Sequence, residues 1–69
     1  MNKGNMFRFD LWLYNELKKR QWDSFDLEFA SGISKSSIEA YMKGRQHPTL
    51  YSFAKILAAF DKHIEIVDN

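Results

Sequence analysis

Residues 23–43 read Asp-Ser-Phe-Asp-Leu-Glu-Phe-Ala-Ser-Gly-Ile-Ser-Lys-Ser-Ser-Ile-Glu-Ala-Tyr-Met-Lys. This stretch predicts two short helices joined by a tight turn. Asp23 caps the first helix by accepting from backbone N–H groups two and three residues on. Gly32 sits where one helix stops and the chain turns, a place for a residue free to take positive φ. Ser34 caps the second helix, which runs to about Lys43 and ends at Gly44. Leu27, Ile33, Ile38 and Tyr41 point inward at helical spacing. The outward residues that begin the second helix, Lys35, Ser36 and Ser37, are polar, so the stretch reads as a helix-turn-helix with its second helix presented outward.

Working outward, the apolar spacing predicts further helices over residues 9–20 and 49–60. Phe9, Leu13 and Leu17 form one stripe, widened by Trp12 and Tyr14. Lys18, Lys19 and Arg20 fall in the last turn, where cations meet the negative end of the helix dipole. Trp22 is placed to pack across the Asp23 cap as a hydrophobic staple. Gly44 and Pro48 bound a loop. Thr49 caps the last helix, which carries Leu50, Phe53, Ile56, Leu57 and Phe60 on one face. Residues 1–8 are expected to be a flexible tail. Residues 63–67, His-Ile-Glu-Ile-Val, are β-branched and partly alternating, which predicts a short strand within a 62–69 tail. A lone strand has unpaired edges, so its expected mate is the same strand of a second chain, a homodimer.

The fold class expected is therefore all-α: a compact four- to five-helix bundle plus a short C-terminal β-strand, in one domain spanning residues 1–69. A chain of 69 residues buries only about 60% of its unfolded surface. Its 45% hydrophobic and 16% aromatic content supports a core and argues against disorder. There is no cysteine, hence no disulfide framework and no thiolate metal site. No apolar run approaches the roughly 18 residues of a membrane span, and no signal-peptide pattern opens the chain. The expected location is the cytoplasm.

Net charge is +1, but it is unevenly placed. Residues 1–20 hold five cations and two acids, residues 21–33 three acids alone, and residues 34–47 three cations and one acid. Basic character thus coincides with the second helix of the central pair and its exit loop. Catalysis is not expected, because the chain lacks a His–Ser–Asp signature, a glycine-rich phosphate loop and the length for a cleft. Asp61 and His63 are too few to hold a metal, and His47 is remote in sequence, so no metal or other cofactor is expected.

The run Ala30-Ser31-Gly32-Ile33-Ser34-Lys35-Ser36-Ser37-Ile38, with Leu27 before it and Gly44…Pro48-Thr49-Leu50 after it, resembles the Cro/repressor-type (Xre-like) helix-turn-helix domain. The resemblance covers about residues 9–61. It implies a transcriptional regulator of the kind found among phage lysis–lysogeny switches, binding double-stranded operator DNA as a dimer. By position it assigns Ser34, Lys35, Ser36, Ala40 and Lys43 to base edges or phosphates, with Ser37 and Arg45 beside them. The chemistry is consistent: lysine donates to guanine, serine to base or phosphate, and Ala40 can meet a thymine methyl.

Two residues depart from that family. Glu28 stands where a small residue is usual, and an ionised carboxylate packed between two helices is costly. Glu39 lies on the recognition helix, where phosphates should be near. These carboxylates, with Asp26, define an alternative function: a modulator, antirepressor or antitoxin that binds a partner protein, such as a larger cognate repressor or a toxin, through an acidic helix-turn-helix face.

Overall fold

The computed structural model describes residues 7–65. They form four helices: α1 (Phe9–Arg20), α2 (Ser24–Ser31), α3 (Lys35–Met42) and α4 (Leu50–Ala59). α3 packs on α1 and α2, and α2 packs on α4. The three caps fall where the side chains place them. Asp23, Ser34 and Thr49 each accept from the backbone N–H three residues on, at 3.0, 3.2 and 3.1 Å. The helix ends are also locally built. Gly32 (φ 78°) closes α2 and Gly44 (φ 73°) follows α3. Gln21 (φ 60°) and Asp61 (φ 64°) make the same left-handed turn after α1 and α4 without being glycine. In each of those two, the next residue's N–H reaches back five positions: Trp22 to the Leu17 carbonyl at 2.9 Å and Lys62 to the Leu57 carbonyl at 2.7 Å. Those bonds satisfy carbonyls that the helix leaves open, which offsets the cost of a Cβ at positive φ.

Leu13, Leu17, Leu27, Ile38, Tyr41, Ile56 and Phe60 form the buried core. One side of it is aromatic. The Phe9 ring meets Tyr41 and Phe53 edge-on at 5.7 and 5.3 Å, and Trp12 meets Phe53 and Phe60 at 5.9 Å each. Edge-to-face packing of this kind adds to the burial of each ring. Trp22 sits against Phe60 at 5.6 Å, so it joins the start of α2 to the end of α4 rather than stapling across the Asp23 cap as expected.

The basic run that ends α1 divides its duties. Arg20 donates to the buried Glu16 carboxylate and, at 3.2 Å, to the Phe60 carbonyl, with its guanidinium 4.4 Å from the Phe60 ring. Lys19 pairs with Glu16 at 3.3 Å, while Lys18 lies over the Tyr14 ring.

The strand expected over residues 63–67 does not appear. Residues 62–65 are irregular, and 66 and 67 lie outside the described residues. A strand needs a ladder partner, and among the described residues there is no other strand to pair with it. Of the expected N-terminal tail, residues 1–6 lie outside the described residues. Phe7 approaches Trp12 and Phe53 at 6.1 and 6.3 Å.

Two expectations follow from this packing. Ile38 is fully buried at the centre of α3. Ile38→Asp places an unpaired carboxylate there, costing about 4 kcal/mol or more, most of the stability of so small a domain. The cooperative thermal transition, followed by circular dichroism, should be lost.

The second concerns Glu16. Burial pushes its carboxyl pKa up, but the hydrogen bonds from Arg20 and Lys19 outweigh that and hold it below the ordinary 4.5. A depressed pKa contributes stability above 4.5 that is lost as pH falls through the lower folded value. Arg20→Ala should therefore cost about 1–3 kcal/mol at neutral pH. Urea melts at decreasing pH should show the gap between wild type and variant narrowing below pH 4.5.

Candidate functional site

The turn between α2 and α3 is only three residues long, residues 32–34, and the side chains around it are bonded to one another. Glu28 is half-buried, and its carboxylate accepts from the Lys35 backbone N–H at 3.2 Å. The extra size of Glu28 is thus used as an acceptor at the N-terminus of α3, where free N–H groups and the helix dipole favour negative charge. It sits beside the Ser34 cap. The Ser34 hydroxyl also donates to the Ser37 hydroxyl at 3.0 Å and lies 3.4 Å from that of Ser36. Two of the three serines assigned to DNA are therefore engaged in starting the helix.

Lys35 is engaged as well. Its ammonium lies 2.9 Å from Glu39 one turn on and 4.8 Å from the centroid of the Phe25 ring. Glu39 in turn accepts from the Ser24 hydroxyl of α2 at 3.2 Å. The hydrogen bond from Lys35 is the main reason, and that from Ser24 the next, that the Glu39 carboxyl is held below the ordinary 4.5. Glu39 therefore meets a cation of its own helix and a hydroxyl of the neighbouring one.

Asp26 completes a reciprocal cap: its carboxylate accepts from the Asp23 N–H at 3.0 Å while Asp23 accepts from the Asp26 N–H. The Asp-x-x-Asp spacing of residues 23–26 was the available sign of this, an aspartate version of the capping box.

The remaining assigned residues separate into two groups. Ala40 is half-buried. Lys43 and Arg45, at the far end of α3, are exposed and form no ion pair among the described residues. On α2, Phe25 and Phe29 are 61% and 93% exposed. The face built from α2 and α3 is thus bipolar: acidic and aromatic along α2, basic only at the exit of α3. Beside it, a shallow groove of about 390 Å³ runs between α1 and α3, lined by Tyr14, Trp22, Glu39 and Met42 among others. Among the described residues no group of three or more His, Cys, Asp or Glu side chains could hold a metal, and no helix is long and apolar enough to cross a membrane.

The Glu39 pairing is directly measurable. Carbon-detected NMR titration should show the Glu39 carboxyl ionising below 4.5 in the wild type and moving back up towards that value in Lys35→Met.

No family model matches the chain, and no curated protein or solved structure gives a significant match.

Proposed function

We propose that this chain is a small cytoplasmic helix-turn-helix regulator that works by docking its α2–α3 face on a partner protein, as a modulator of a larger DNA-binding repressor. The observation that carries this reading is the state of Lys35. It is the residue best placed to donate to a base, yet it is bonded to Glu39 and stacked on Phe25. Reading a base with it means breaking that pair and bringing Glu39 and Asp26 towards phosphates. A repressor's DNA-reading surface has the opposite character. It is basic, and it is attracted by a face whose Asp26 and Glu28 carboxylates have no ion-pair partner among the described residues.

A second reading, direct binding of operator DNA, is favoured by Lys43 and Arg45. Both are exposed and form no ion pair among the described residues, although Lys43 is near enough to Glu39 to help lower its carboxyl pKa. In that case α3 would touch phosphates mainly through its C-terminal end.

The two readings separate in one set of binding isotherms. The probes are any DNA-binding repressor found encoded beside this chain and duplex DNA from the same locus. On the docking reading the repressor binds, and Glu39→Gln and Asp26→Asn weaken it. The loss is small for a rim charge and about 2–5 kcal/mol for a fully desolvated one. DNA binding by the chain alone then stays weak at physiological salt. Tight duplex binding overturns the docking reading if Lys43→Glu and Arg45→Glu abolish it and its log–log salt slope flattens by about one per lost contact.

A further inference from the structure

We propose that Phe25 and Phe29 form the anchor of the docking face, with Phe29 entering an apolar groove bordered by lysine or arginine on the partner protein. This rests on the protein-docking reading above and names the surface and the chemistry it fits. The two rings lie four residues apart on α2, so they stand one above the other on its outward side. Leu27 and Ser31 occupy the opposite, buried side. Phe29 is 93% exposed, the most exposed of the large apolar side chains among the described residues, and it contributes nothing to the core. Phe25 differs: the Lys35 ammonium already covers one face of its ring. No cation or ring is stacked on Phe29 among the described residues, so its π-faces are open. Phe29 is therefore the tip and Phe25 the shoulder of the ridge.

Charge selects the occupant. Asp26 and Glu28 flank the ridge on its two sides, one before and one after the line of Phe25 and Phe29 around the helix. Residues 21–33 contain three acids and no lysine or arginine. An aromatic anchor ringed by acids is matched by an apolar socket ringed by cations, which also gain by stacking on the open ring. Phosphates are repelled by the same acids. A two-fold contact between copies of this chain centred on Phe29 sets acidic flank against acidic flank, so a second copy is disfavoured as the occupant.

The test uses the full chain and two amphipathic helical peptides, one of leucine and lysine, the other of leucine and glutamate. The lysine peptide should bind and the glutamate peptide should not, with amide shifts concentrated in residues 23–31. Phe29→Ala should weaken the lysine peptide about tenfold, and Phe29→Trp should retain it. Thermal melts of both variants should match wild type, since the ring is exposed.

Undiminished binding in Phe29→Ala, or shifts confined to α3, overturns the anchor while leaving docking through α3 standing. Binding of single-stranded oligonucleotides that Phe29→Ala removes overturns it in favour of a base-stacking platform. Concentration-dependent sedimentation abolished by Phe29→Ala overturns it in favour of a second copy. Duplex binding in the same samples decides the docking reading separately.

Discussion

A backbone φ of 78° at Gly32 takes the chain from α2 to α3 within three residues, and the arrangement of both helices depends on it. Any side chain there is strained by that dihedral, although a Cβ would make only ordinary contact with the Lys55 side chain at 3.5 Å. Once the turn is made, Ile33 is brought against the core, Ser34 arrives at the cap position and Ile38 points inward. Glu28 and Glu39 then bind the two helices together from opposite ends: Glu28 at the start of α3, Glu39 at the start of α2. Two polar links and one apolar seam hold a pair of eight-residue helices that would be too short to persist alone.

The features legible in the sequence are those with causes inside a few residues. Asp23, Ser34 and Thr49 cap helices because each oxygen needs only an N–H three positions away. Leu13, Leu17, Ile38 and Ile56 are buried because helical spacing puts each on a shared stripe. The roles of Glu28 and Glu39 were illegible for the opposite reason. Their partners are seven and fifteen residues away and are reached only after the turn has formed. Arg20 is a sharper case, since its carbonyl acceptor is forty residues on. The strand expected over residues 63–67 rested on β-branched composition and a partial alternation. Strand character is a property of a pair, which one segment's residues cannot supply.

The same pairings determine which part of the candidate face is left for a partner. Lys35 and Glu39 spend their charge on each other, as do Arg20 and Lys19 on Glu16. Partly exposed ion pairs such as Lys35–Glu39 add little to stability, unlike those to the buried Glu16. Their effect on recognition is larger, because a neutralised pair projects little field. Among the described residues, the charges of the α2–α3 face without an ion-pair partner are Asp23, Asp26 and Glu28 on the α2 side and Lys43 and Arg45 at the exit of α3. A partner approaching it meets a gradient along the face rather than a uniformly basic patch.

The Arg20–Phe60 bond has a kinetic meaning. Most side-chain hydrogen bonds here join residues within four positions, and α2 and α3 meet across a three-residue turn. Short loops close quickly, so folding of such a chain is fast. Arg20 reaching Phe60 closes a segment of forty residues and encloses every other helix within it. Its loop-closure entropy is the largest among the side-chain hydrogen bonds of the described residues, so this bond is expected to form after the helices it spans have collapsed on Leu27 and Ile38. An interaction formed late is absent from the transition state, so it acts on the unfolding rate and scarcely on the folding rate. In this sense Arg20 is expected to act as a latch on the lifetime of the folded chain, while the turn at Gly32 sets its shape.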